Sequence, residues 1–132
     1  MRHALAVVLL SLALPTLAAP KITKETITSV GKERSYYLFV PEKLSEPAPL
    51  LVLLHGSGRD GKILVDHWRS FAQNNGIILA GPDATESKHW QYPEDGPVLL
   101  RDVVRDVQQR ASVDARRVYL FGHSAGASFA IP

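Results

Sequence analysis

The sequence predicts an α/β protein, a three-layer sandwich with helices on both faces of a mostly parallel sheet. Two observations carry that expectation. Short apolar runs suited to buried strands alternate with stretches whose apolar residues recur at spacings of three and four. The 9 Gly and 9 Pro among 132 residues punctuate the chain too often for a helical bundle. Alternation at this spacing implies right-handed parallel crossovers, which set the strand ends, and any chemistry that follows them, along one edge of the sheet.

Composition bounds the rest. A chain of 132 residues allows one domain at most. With 45% hydrophobic and 21% charged residues it is globular rather than disordered, collagenous or coiled coil. The absence of Cys excludes disulfides, thiolate metal sites and a cysteine nucleophile. A formal net charge of +2, with its basic residues scattered, gives no sign of a nucleic-acid partner.

The elements follow in order. Arg2 precedes an apolar run from Ala4 to Leu14 broken only by Ser11, then Pro15 and the stretch Thr16-Leu17-Ala18-Ala19. A basic start, an apolar run of roughly 11 residues and a small-residue site form a secretory signal, residues 1–19. The run is too short for a stable membrane anchor, which needs about 20 apolar residues. A buried N-terminal helix would leave Arg2 and His3 badly placed and Pro15 unexplained. Cleavage after Ala18 or Ala19 leaves a mature domain of residues 20–132, and export without Cys fits a bacterial periplasm or the medium.

Ile22 to Val30, rich in Thr and Ile with polar alternation, is an exposed edge strand, and Arg34 to Val40 is a second strand ended by Pro41. Lys43 to Pro49 is a surface loop. Leu50 to Leu54 is wholly apolar, as a central strand buried on both faces should be. Residues 62–75 form a helix with Ile63, Leu64, His67, Trp68 and Phe71 on one face, closed by Gly76. Ile77 to Ala80 is another buried strand, and residues 81–97 form a long loop with three prolines and Trp90. Val98 to Arg110 is amphipathic with Leu99, Val103 and Val107 inward. Val118 to Phe121 is a further central strand.

Two strand ends carry chemistry. The last strand runs into Gly122-His123-Ser124-Ala125-Gly126, a G-x-S-x-G pattern. A serine hydroxyl is a poor nucleophile unless presented to a base and held clear of its own backbone, and a sharp strand-to-helix turn does this. Gly122 and Gly126 leave the turn room to close. The helix behind Ser124 aims free N–H groups at a developing oxyanion. The bland alternative is an ordinary turn with an N-capping serine. The second strand end, His55-Gly56-Ser57-Gly58, follows LLVLL and can expose a backbone donor opposite the first, its glycines allowing close approach. His55 and His123 both read as structural, His55 bonding neighbouring loops and His123 pointing sideways toward the sheet.

LLVLLHGSG, then GIILAGPDAT, then VDARRVYLFGHSAG together resemble an α/β-hydrolase. More narrowly, the chain is similar from about Arg34 to Ile131 to the secreted polyhydroxybutyrate depolymerase and feruloyl esterase group. Val113-Asp114-Ala115-Arg116-Arg117-Val118-Tyr119, leading into the serine turn, is the most particular sign. The resemblance implies a serine carboxylester hydrolase that needs no cofactor or metal and takes a small or polymeric ester. It implies Ser124 as nucleophile and the backbone N–H groups of Ser57 and Ala125 as oxyanion hole, with His55, Gly56, Gly58, Gly122 and Gly126 as supporting motif residues. It also makes Trp90 a wall of the acyl or alcohol pocket, a loop-anchoring core aromatic being the alternative.

The chain departs from the family's pattern in one respect. In the superfamily the acid and the histidine follow the serine, yet residues 125–132 contain no His, Asp or Glu. Asp83, Asp102 and Asp106, upstream, read as a loop carboxylate and two solvated helix charges. The expectation is therefore the N-terminal part of a longer enzyme, truncated after the nucleophile turn, inactive alone and with an unpaired sheet edge. A serine peptidase of the same fold and an inactive hydrolase-like binding protein are the rival readings.

Overall fold

The computed structural model describes residues 19–131. The expected export signal, residues 1–19, lies, all but Ala19, outside the described residues, as does Pro132. Among the described residues no helix is long and apolar enough to cross a membrane.

Among the described residues, five strands and three helices follow in the order β1 (Thr23–Ser29), β2 (Lys32–Phe39), β3 (Ala48–Leu54), α1 (Gly61–Asn75), β4 (Ile78–Pro82), α2 (Pro97–Arg110), β5 (Val113–Gly122) and α3 (Ala125–Ala130). They form one sheet in the order β1-β2-β4-β3-β5. The sheet is mixed. β4, β3 and β5 are parallel, whereas β1 and β2 run antiparallel to their neighbours. The reason is local: Val30 and Gly31 alone link β1 to β2, too short a link for a crossover, so the two strands close as a hairpin.

Alternation of side chains along the central strands makes two cores. Leu50, Val52, Leu54, Ile78 and Ala80 face Leu99, Val103 and Val107 of α2. Leu53, Leu79 and Phe39 face Leu64, Val65 and Ala72 of α1. Helices therefore cover opposite faces, the three layers expected. Asp60 caps α1 by accepting from Ile63 N at 3.0 Å, and Gly76 closes the helix in the left-handed conformation.

Three expectations need correction. The buried stripe of α1 runs through Leu64, Val65 and Ala72, while Ile63 and Phe71 are 45% and 50% exposed. Residues 64, 68 and 72 repeat every four positions and track the sheet; Ile63, His67 and Phe71 lie on the flank of that stripe. β5 is the edge strand of the described sheet, with Tyr119 and Leu120 exposed and no partner beyond it among the described residues. Finally, Asp102 and Asp106 are not merely solvated. Ser29 Oγ donates to Asp102 at 2.8 Å, and Tyr36 Oη donates to Asp106 at 2.6 Å, docking α2 on the β1–β2 hairpin.

Candidate active site

The order of the strands reverses at β3. The crossover from β3 through α1 leads to β4 on one side, and the crossover from β4 through α2 leads to β5 on the other. The carboxyl ends of β3 and β5 consequently emerge side by side, with Leu54 in register with Gly122. The ladder runs one bond further, from His123 N to Leu54 O at 3.0 Å. Both candidate turns start from this pair.

At the first turn Ser124 has φ 53° and ψ −115°, left-handed backbone that costs a non-glycine residue about 1–3 kcal/mol. Its surroundings impose this. Gly126 N donates to His123 O and Ser128 N to Ser124 O, each at 3.0 Å. A methyl group on Gly122 would lie 2.5 Å from Ala127 N, and one on Gly126 would run into the carbonyl oxygen of Leu54. Only glycine fits at both positions. The Ser124 side chain is left exposed at the tip.

The second turn meets the first. A methyl group on Gly56 would stand 3.5 Å from Ser124 Cβ and 3.0 Å from His123 Nδ1. Arg59 N closes the turn on Gly56 O at 3.2 Å, and Gly58 N donates to Ser87 O at 2.7 Å. Among the described residues, neither the Ser57 nor the Ala125 amide takes part in the turn, loop and cap hydrogen bonds that hold these bends.

His55 is buried, and both of its ring nitrogens are engaged by backbone. Nε2 accepts from Ala84 N at 3.1 Å, which fixes the proton on Nδ1, 2.8 Å from Gly56 O. No lone pair remains for a serine proton. His123, by contrast, is exposed rather than turned toward the sheet. It lines a groove of about 380 Å³ with Arg59, Ile63, His67, Trp68 and Phe121, on the α1 side of the turns.

The loop between β4 and α2 braces the second turn, and here sequence reasoning missed two residues. The Arg34 guanidinium donates to Asp95 at 2.6 Å, and both side chains are buried. Arg34 also donates to the carbonyls of Glu94 and Asp83, at 2.7 and 2.9 Å. Asp83 itself accepts from Gly61 N and Ser35 Oγ, so it tethers the start of α1. Trp90 is 8% exposed; it donates from Nε1 to His55 O at 2.9 Å, packs on the His55 ring and stacks on Phe129. The structure thus makes Trp90 an anchor of this loop. Among the described residues no group of three or more His, Cys, Asp or Glu is arranged to hold a metal ion.

No protein-family model matches the chain. Over 103 residues it is 26% identical to a bifunctional acetylxylan esterase/xylanase of Neocallimastix patriciarum, covering 75% of this chain and 15% of that protein. Among solved structures, the poly(3-hydroxybutyrate) depolymerase LpqC of Bordetella parapertussis superposes with a TM-score of 0.68 at 20% identity, over 85% of this chain and 45% of that one. A thermostable esterase of Pseudomonas putida gives 0.67 at 20% identity, over 86% and 37%. An S-formylglutathione hydrolase of Agrobacterium tumefaciens gives 0.68 at 17% identity, over 87% and 53%. The chain spans about half the length of these structures or less, and a small part of the curated relative.

Proposed function

From the α/β-hydrolase fold that the chain adopts, we propose that it carries the nucleophile and oxyanion hole of an exported serine carboxylester hydrolase. One observation supports this above the rest: the strained Ser124 turn abuts the Gly56 turn, and among the described residues the Ser57 and Ala125 amides take no part in the hydrogen bonds that hold the two bends. Ser124 Oγ attacks the ester carbonyl, and the carbonyl oxygen, now anionic, receives hydrogen bonds from the Ser57 and Ala125 amides. Collapse of the tetrahedral adduct expels the alcohol and leaves an acyl-serine. Water then attacks the same carbonyl, releasing the carboxylic acid and the serine hydroxyl.

The reading requires an imidazole base and an orienting carboxylate, and His55 is not that base, because both of its ring nitrogens are committed to backbone. The base takes the serine proton, passes it to the leaving alcohol and repeats the exchange with water. No metal or organic cofactor enters these steps. Residues 1–19 serve as the export signal. The substrate class follows the esterases and the depolymerase that share the fold: a carboxylic ester, small or polymeric.

Ser124→Ala in the intact protein tests this. Hydrolysis of p-nitrophenyl acetate should fall by about a thousandfold or more with the circular dichroism unchanged. Retained turnover would remove Ser124 from the mechanism.

A further inference from the structure

We propose that the buried Arg34–Asp95 pair positions the turn bearing the Ser57 amide, and so sets the rate of acyl transfer without touching substrate. The inference rests on the serine-hydrolase reading above and names a residue pair that the reading does not require.

The connection runs through the loop between β4 and α2. Asp95 Oδ1 accepts from Arg34, from Thr85 N at 2.9 Å and from Thr85 Oγ1 at 2.8 Å; Oδ2 accepts from Gln91 N at 2.9 Å. With the Arg34 bonds to the Asp83 and Glu94 carbonyls, one carboxylate and one guanidinium tie both ends of the loop to its middle. The loop in turn grips the β3 turn at three points. Ala84 N donates to His55 Nε2, Trp90 Nε1 to His55 O, and Ser87 O accepts from Gly58 N. Ser57 lies between the last two of these anchors. Its amide can be aimed only as well as the loop is held.

Stability alone does not explain the pair. Removing two charges from water is costly, and apolar residues of similar volume often replace a buried pair without loss. What apolar residues cannot supply is six directed bonds converging on one loop. An oxyanion donor displaced by about 1 Å can cost on the order of 100-fold in rate, so the loop's directed bonding has a catalytic consequence.

Two variants of the intact protein test the role, Asp95→Asn and Trp90→Phe. The first discharges the carboxylate; the second keeps an aromatic ring but removes the bond to His55 O and part of the indole's packing. Each is assayed for kcat and KM on p-nitrophenyl acetate and for affinity toward a trifluoromethyl ketone, which adds to the serine as a tetrahedral oxyanion. For Asp95→Asn kcat should fall about 10-fold, with KM within about twofold and ketone affinity falling in step with kcat. Trp90→Phe should show the same pattern at about threefold. A merely structural role would lower thermal stability and leave the kcat of the folded fraction and the ketone affinity alone. That result overturns the proposal, and if Asp95→Asn fails to fold, Trp90→Phe decides it. If Ser124→Ala is dead while both variants match wild type, the positioning role falls and the hydrolase reading stands. If Ser124→Ala retains turnover, the reading falls first.

Discussion

Gly56 and Ser124 face each other across the top of the sheet, close enough that a methyl group on one would touch the Cβ of the other at 3.5 Å. Their proximity comes from topology. Because β3 and β5 are parallel neighbours, the turns that end them leave in the same direction, and Gly56 keeps the gap open to the serine. On the proposed function, a carbonyl bound there meets the hydroxyl from one turn and amides from both.

The Ser124 backbone should report this arrangement independently of activity. Serine at φ 53° holds about 1–3 kcal/mol of strain, which glycine relieves less its own entropic penalty of roughly 0.5–1 kcal/mol. Ser124→Gly should therefore raise the thermal midpoint of the intact protein by a few degrees, about 1 kcal/mol, while Ser124→Ala stays near wild type. Neither should turn over ester. A glycine variant no more stable than the alanine one would show that the turn is unstrained.

The parts of this site that were legible in the sequence are those in which a local rule suffices. The apolar run of β3 and the spacing of Leu99, Val103 and Val107 on α2 follow from one segment's own periodicity, and the turns at 56–58 and 122–126 from the glycines that flank them. Period two also set Arg34 on the face of β2 that buries Tyr36 and Leu38, so a buried cation needing a partner could have been read there. Its partner could not. Asp95 is 61 residues away, in a loop that offers Asp83, Glu86 and Glu94 as equal candidates. Trp90 was left open for a related reason: a loop tryptophan suits a pocket wall or an anchor equally until the carbonyl that takes its N–H is located. The position of β5 depends on which strands flank it, and no residue within β5 encodes that.

Gly126 should be the least replaceable glycine of the site. Its missing side chain would overlap the Leu54 carbonyl oxygen and stand 2.8 Å from His55 O. Both are backbone atoms at the end of a central strand, so α3 itself would have to lift. Gly126→Ala should cost about 3 kcal/mol and take Ser124 out of place with it. Gly58→Ala makes the contrast, since φ is 71° but nothing lies within 4 Å of the added methyl. Its cost should be confined to the left-handed backbone, about 1–2 kcal/mol. Urea midpoints of the two variants compare these terms, and the reverse order would show that backbone conformation, not crowding, dominates at these turns.

Tyr36 and Asp106 should make the contact between α2 and the hairpin sensitive to pH at both ends of the scale. Tyr36 Oη and Arg110 Nε donate to the same Asp106 oxygen, at 2.6 and 2.8 Å. Burial pushes the Tyr36 phenol well above its ordinary value, and the bond to Asp106 pushes it further. Burial also works to raise the Asp106 carboxyl, but the bonds from Tyr36 and Arg110 together outweigh it and hold the group below the usual carboxylate range. A carboxyl so lowered contributes stability above its unfolded pKa of about 4 and loses it as the pH falls through the folded value. The phenol is the opposite case. Its contribution is whole below about pH 10 and is lost as the pH climbs toward the raised value. Asp106→Asn should thus cost about 1–2 kcal/mol near neutral pH, with the gap from wild type closing as the solution is taken below about pH 4. Tyr36→Phe should leave the alkaline side flatter than wild type. Urea midpoints across the pH range measure both, and a gap between wild type and Asp106→Asn that persists unchanged into acid would show that the carboxylate's charge contributes nothing to this contact.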